Sequence, residues 1–195
     1  MKRAIPAVSA AARTLIDVYR LELDLEASHF VIEPALAKRI LDAEAEEADR
    51  EGAPRSGILV VDDEEGPQVG LYLHPDDVQD SGVVVEETSH LLYLAWHALR
   101  DLPVSRLLLE IQGEVDRYVV TRLSGRDGLR HFREFDWANW MGEETRRTYA
   151  TAHRVAQRYC ELLAVRFPAR SDTPELLREL RRYYRASPDT KLHPT

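Results

Sequence analysis

The sequence predicts a mainly α-helical protein with one small β-hairpin, folded as a single compact domain over residues 1–195. Three observations lead to this prediction. Residues 83–99 are apolar nearly all round a helical period, which is typical of a buried helix. Two short β-type runs, residues 58–61 and 68–73, flank a Gly-Pro turn. A chain of 195 residues is long enough to bury a well-formed core.

The N-terminal part, residues 1–57, is expected to hold two helices. Ser9 can cap a first helix from about Ala10 to Phe30, where leucine and valine recur at helical spacing. Pro34 suits the first turn of a second helix, which runs into an acidic end. Glycine and proline then interrupt the pattern before the hairpin, residues 58–74.

The rest of the chain is predicted to be helical. The motif helix, residues 83–99, and a glutamate-bearing helix over 104–123 together occupy residues 83–123. C-terminal helices follow within residues 132–186, after an aromatic-rich connection: one from Glu143 to Arg166 and one from Thr173 to Tyr184. The residues from 187 to 195 are expected to be a tail.

Composition narrows the possible functions. The formal net charge is −8, with about −13 in residues 1–120 and about +5 in the rest, which argues against a general nucleic-acid binder. One cysteine, Cys160, excludes an internal disulfide and a cysteine-rich zinc site, and fits a reducing compartment. No apolar run reaches the ~18 residues of a membrane span. We therefore expect a cytoplasmic protein, and the dominance of arginine over lysine suggests a bacterial, GC-rich genome.

Polar side chains lie on one line of the otherwise apolar motif helix. At about 100° per residue, Glu86, His90, Tyr93 and His97 fall within roughly 60° of one another. A carboxylate and imidazoles inside a buried helix cost free energy unless they are paired, hydrogen-bonded or bound to metal. The function therefore depends on which group or ion contacts these four side chains.

The spacing around this line resembles a metallopeptidase motif. Glu86-Glu87-Thr88-Ser89-His90 differs by one residue from H-E-x-x-H, and Glu110 follows His90 by 20 residues, with Glu114 four later. The arrangement resembles the thermolysin-like gluzincin metallopeptidases, in which a downstream helix supplies a glutamate ligand. The order of hairpin, motif helix and glutamate helix is similar to a minimal zincin core.

The resemblance implies a role for each residue. Glu86, His90 and Glu110 would bind a divalent metal ion, Glu87 would act as general base, and His153 or Tyr149 would polarise a substrate carbonyl. Glu114 would orient the motif histidine, and His97 would also lie in the outer shell of the site. Glutamate replaces the first histidine of the motif, so manganese or iron is expected beside zinc. The implied activity is hydrolysis of a peptide or protein substrate lying along the hairpin edge.

Two alternatives remain open at the level of sequence. Glu26 and His29 form a second E-x-x-H pair, and two such pairs with two lone glutamates build ferritin-like di-metal bundles, although the order of helices differs here. The other alternative is a non-catalytic helical interaction or scaffold protein. In that case the glutamates pair with arginines in a structural Glu/His/Arg cluster, as Arg117, Arg146 or Arg154 would allow.

Overall fold

A computed structural model describes residues 3–44, 55–63, 66–135 and 143–194 of the chain. The described residues form eight α-helices and one two-stranded antiparallel sheet, which confirms the predicted mainly α fold with a small hairpin. The helices and strands have the following bounds: α1 Ala4–Tyr19, α2 Pro34–Glu44, β1 Gly57–Asp63, β2 Gly66–Tyr72, α3 Ser81–Ala98, α4 Arg106–Leu123, α5 Arg130–Arg133, α6 Glu143–Arg166, α7 Thr173–Tyr184 and α8 Pro188–Leu192.

Helix α3 lies at the centre of the fold. The Asp80 side chain caps it by accepting hydrogen bonds from the backbone N–H groups of Gly82 (2.8 Å) and Val83 (3.3 Å). Helix α4 packs against α3 and α6, while α1 packs against α3 and α7. Residues from all five helices join one continuous apolar core, and Leu71 and Leu73 extend that core from the hairpin.

The hairpin packs against α3. Gly57 pairs with Tyr72 and Asp63 with Gly66, and Gly66 begins β2 with φ of 110°, a left-handed value that favours glycine. The outer side of β2 is occupied, because the Ile32 N–H donates to the Leu71 carbonyl at 3.0 Å. Within the described part of the chain no further strand pairs with β1, so β1 presents an open edge.

The N-terminal helix differs from the prediction. It spans Ala4–Tyr19 instead of Ala10–Phe30, so Ser9 lies inside the helix and does not cap it. Pro6 is tolerated because it falls in the first turn, where its missing N–H has no helical partner. Arg20 ends the helix in the left-handed conformation, with φ of 50°, a position that glycine would have marked in the sequence.

The C-terminal residues also differ from the prediction. Helix α8 forms within the expected tail, capped by the Ser187 side chain, and Lys191 on it is fully buried. The helices α6 and α7 have the predicted bounds. In the aromatic connection Phe132 is buried and Phe135 half-buried, whereas Trp137, Trp140 and Met141 lie outside the described residues. None of the described helices is long and apolar enough to cross a membrane.

Candidate metal centre

The crossing of α3 and α4 brings the predicted ligand residues together. Glu86 and His90 project from α3 towards α4, which carries Glu110. The approach is close because position 113 is glycine: a Cβ atom there would lie 2.8 Å from His90 Nε2 and 3.1 Å from Glu86 Cγ. Gly113 therefore gives the imidazole the room to lie against helix α4.

Four residues form what we call the cavity cluster: Glu86, Glu87, His90 and Glu110. One donor atom from each of Glu86, His90 and Glu110 lies within 4.8 Å of the other two, so this group could hold a metal ion. The distance from His90 Nε2 to Glu110 Oε2 is 3.7 Å, and from His90 Nδ1 to Glu87 Oε2 it is 3.4 Å. His90, Glu87 and Glu110 are all buried.

Three atoms of the cavity cluster lack a hydrogen-bond partner among the described residues: Glu87 Oε2, His90 Nε2 and Glu110 Oε2. A buried polar atom without a partner costs about 1–3 kcal/mol, and more when the group is charged. His90 Nε2 and Glu110 Oε2 face each other across 3.7 Å, a gap too long for a hydrogen bond. Two metal ligands arranged round one ion would leave such a gap between them.

The pKa values of the cavity cluster are shifted by burial and by the neighbouring charges. Burial raises the pKa of Glu86 to about 7, against the opposing effect of Arg117, and burial also raises the pKa of Glu110. Burial alone would lower the pKa of His90, but Glu87, Glu110 and Glu86 raise it to about 10. Carboxylates thus surround one imidazole, and the proton on that imidazole balances part of their charge.

Arginines contact two of the carboxylates. Arg117 Nη1 donates to Glu86 Oε2 at 2.6 Å, and Arg106 Nε lies 3.7 Å from Glu110 Oε1. The Arg117 contact is the pairing that the structural alternative predicts. It satisfies only one oxygen of Glu86, while the unpartnered atoms of His90 and Glu110 remain.

A cavity of about 340 Å³ opens between the hairpin and the two helices. Glu87, His90 and Glu110 line it, so the predicted general base faces a space that a substrate could enter. Arg106 and Tyr149 also line the cavity, and Arg106 Nη2 donates to Tyr149 Oη at 3.4 Å. Burial raises the pKa of Tyr149, so its hydroxyl keeps its proton at neutral pH. Backbone and side chains of 56–59 on the β1 side complete the wall.

The other predicted residues lie in different surroundings. Glu114 was expected to orient His90, but its carboxylate accepts hydrogen bonds from His131 Nε2 and from His153 Nδ1, the latter at 3.0 Å. His153 therefore lies beside Glu114, and of the two predicted carbonyl-polarising residues Tyr149 is the one that lines the cavity. Glu114, His131 and His153, which we call the Glu114 cluster, form the second described group that could hold a metal ion.

Residues His97, Glu26 and His29 lie apart from both clusters. The His97 ring packs on Tyr93 with centroids 4.1 Å apart, and its Nδ1 hydrogen-bonds the Tyr93 carbonyl at 2.9 Å. His97 thus has the contacts of a histidine in an aromatic core. Glu26 and His29 are exposed, with Glu26 hydrogen-bonded to Ser28. This second E-x-x-H pair belongs to neither of the groups found among the described residues, so the arrangement that a ferritin-like bundle requires does not form.

His131 was not predicted as a site residue. It lies on α5, a helix of four residues, and its neighbours Glu114 and His153 are on two other helices. No fixed spacing in the sequence relates the three positions. A histidine within an aromatic-rich connection was the only available signal.

Models of known protein families, curated proteins and solved structures were compared with this chain, and none of them matches it. The geometry of the two clusters establishes that buried Glu/His groups could hold a metal ion.

Proposed function

We propose that the protein is a metal-dependent hydrolase that acts on peptide bonds in the cavity between β1, α3 and α4. One observation carries the proposal: unpartnered atoms of His90 and Glu110 face each other across 3.7 Å beside a cavity of about 340 Å³, which both residues line together with Glu87. Buried unpartnered polar atoms of this kind are costly, and they are tolerated where a ligand completes them.

The cavity cluster fits a divalent ion. Glu110 Oε2 offers a free electron pair, His90 Nε2 offers one once metal binding displaces its proton, and Glu86 retains one oxygen that Arg117 does not contact. One imidazole with carboxylates suits zinc, manganese or ferrous iron. A bound ion of this class supplies Lewis acidity, which polarises a carbonyl group and lowers the pKa of water.

The protein's own residues supply proton transfer and orientation. Glu87 lines the cavity, so its carboxylate, of which Oε2 is buried, can take a proton from an attacking water molecule. The same oxygen lies 3.4 Å from His90 Nδ1 and holds that ring in its orientation. The Tyr149 hydroxyl lines the cavity beside the Arg106 guanidinium, so it can donate a hydrogen bond to the carbonyl oxygen of a bound peptide.

The hairpin provides the binding edge for the substrate. Strand β1 has an open edge among the described residues, and its residues Gly57–Leu59 line the cavity. An extended peptide can add to such an edge through backbone hydrogen bonds, which favours peptides over other carbonyl substrates. A peptide is an uncharged ligand along most of its length, so it can enter beside an acidic cluster. The cytoplasmic location and bacterial origin expected from composition belong to the same proposal.

Metal content is the first test of this proposal. Untagged protein is equilibrated with zinc, manganese or ferrous iron in turn, and bound metal is measured for wild type, His90→Ala and Glu110→Gln. We expect both variants to lose the ion of the cavity cluster. Asp116→Asn is the matched control, because it makes the same carboxylate-to-amide change at a buried position of the same helix. If Glu110→Gln binds as much metal as wild type, the proposal fails.

Activity is tested with Glu87→Gln. This variant should keep the metal ion of the cavity cluster and lose at least about 100-fold in the rate of peptide hydrolysis, as expected for removal of a general base. The readout is cleavage of a mixed library of quenched fluorescent peptides by metal-loaded protein. Hydrolysis that survives in Glu87→Gln would contradict the assigned role.

The second candidate is a non-catalytic helical interaction protein with a structural Glu/His/Arg cluster. The ion pair between Arg117 and Glu86 at 2.6 Å is the observation that favours it. Wild-type protein that binds no metal at the cavity cluster, together with variants that only lose stability, would establish this candidate in place of the hydrolase.

A further inference from the structure

The Glu114 cluster lies outside the cavity and contains no residue of the cavity cluster. Its three side chains come from three helices: Glu114 from α4, His131 from α5 and His153 from α6. Each imidazole contacts a different oxygen of the same carboxylate, His131 through Nε2 to Oε2 and His153 through Nδ1 to Oε1. One donor atom of each residue lies within 4.8 Å of those of the other two.

Two imidazoles with one carboxylate form a common set of ligands for transition metals. Zinc in hydrolases and ferrous iron in oxygenases are held by this set, which leaves further coordination positions open. Helix α5 presents only one turn, and its histidine is nevertheless turned inward onto Glu114. We propose that Glu114, His131 and His153 bind a second divalent transition-metal ion, separate from the ion of the cavity cluster.

The surroundings of the Glu114 cluster fit this proposal. The Phe132 ring lies 5.2 Å from the His131 ring and 5.2 Å from the His153 ring, and Phe135 lies 4.5 Å from His153. These aromatic side chains limit access of water and strengthen electrostatic interactions inside the cluster. Glu114 and His153 are buried, whereas the His131 side chain is 19% exposed.

An entry path for the ion is also present. A crevice of about 840 Å³ reaches the exposed side of His131, and acidic side chains including Asp80, Asp127 and Glu134 line it beside three arginines. The cavity of the proposed hydrolase site is lined by different residues, on the hairpin side of α3 and α4. Arg117 lies between the two clusters, because it pairs with Glu86 and its charge also acts on Glu114. The two groups share no ligand residue, so a substitution in one leaves every ligand of the other in place.

Zinc stoichiometry separates the two sites. Wild type, His131→Gln, Glu110→Gln and the double variant are dialysed against buffered zinc and their zinc content is measured. We expect about two equivalents in wild type, about one in each single variant and none in the double variant. His74→Gln is the matched control, since His74 is a half-buried histidine whose Nδ1 lies 3.5 Å from a carboxylate oxygen of Asp76. The control should bind as much zinc as wild type.

The failures of the two proposals are distinguishable. If His131→Gln retains the zinc content of wild type, the inference about the Glu114 cluster is overturned while the cavity proposal stands. If only Glu110→Gln retains it, the reverse holds. Should His131→Gln fail to fold, anomalous scattering at the zinc edge from wild-type crystals decides the matter. A peak between Glu114, His131 and His153 supports the site, and its absence after zinc soaking overturns it.

Discussion

The two polar sides of helix α4 are both buried, but their hydrogen bonding differs. About 160° round the helix from Glu110 and Glu114, Gln112 and Asp116 form a closed network. Asp116 accepts hydrogen bonds from Tyr19, from Gln112 at 2.9 Å and from Ser89 at 2.5 Å. Lys191 completes the network by donating to Gln112 Oε1 at 2.6 Å.

The opposite side of α4 carries Glu110, Gly113, Glu114 and Arg117, which face the two candidate metal sites. Of the five buried side-chain atoms that lack a partner among the described residues, three belong to the cavity cluster. The same helix therefore shows both outcomes for a buried charge. Around Asp116 the partners are complete and the charge is structural, whereas around Glu110 they are incomplete and the geometry points to a ligand.

The largest effect is expected when the closed network is opened. Asp116→Ala leaves Tyr19, Ser89 and Gln112 without their acceptor and Lys191 without a nearby negative charge. We expect a loss of about 3 kcal/mol or more in the free energy of unfolding, measured by urea denaturation. Zinc content per folded molecule should not change. A loss below about 1 kcal/mol in the free energy of unfolding, or a loss of bound zinc, would contradict the assignment of one side of α4 to structure and the other to metal binding.

A smaller effect is expected from the titration of Lys191, which lies buried in the closed network. The quantity affected is the pH dependence of the free energy of unfolding. Burial lowers the pKa of Lys191 to about 7, and Asp116 only partly opposes this shift. Between pH 7 and the ordinary lysine value the unfolded chain binds more protons than the folded protein, so stability rises with pH in this window. The rings of Tyr93, Tyr183 and Tyr184 also face the ammonium group.

Lys191→Met tests this pH dependence. Between pH 7 and pH 9 the free energy of unfolding of wild type should rise by about 2 kcal/mol more than that of the variant. Urea denaturation at both pH values measures the difference, and the comparison cancels the titration of Cys160 and the tyrosines. Parallel changes in the two proteins would show that Lys191 keeps an ordinary pKa.

The comparison also shows what the sequence could and could not predict. Glu86, His90 and Glu110 were found because helical spacing places side chains on one side of a helix without knowledge of the fold. The same reasoning gave the bounds of α6 and α7 and the hairpin. The end of α1 was missed because Arg20 takes a left-handed conformation without a glycine to mark it.

His131 and Lys191 could not be predicted for a related reason. They lie on α5 and α8, helices of four and five residues, which are too short to show a hydrophobic period. Their partners are brought near by packing of distant helices: Lys191 reaches Gln112 across 79 residues of chain. Both residues were accordingly assigned to a connection and a tail, although each completes a buried cluster.

The smallest effect, and the most discriminating, is expected at Glu110. In the presence of a chelator Glu110→Gln should raise the free energy of unfolding by about 1 kcal/mol, because a neutral amide replaces a buried carboxylate with an unpartnered oxygen. Asp116→Asn, the same change in the closed network, should lower the free energy of unfolding.

With zinc present the order of stability of wild type and Glu110→Gln should reverse, since only wild type gains the binding free energy of the cavity ion. Thermal or urea unfolding with and without zinc measures this reversal in the order of stability. Glu110→Gln that is destabilised under both conditions would place Glu110 in a structural network like that of Asp116, and the two sides of α4 would then have the same role.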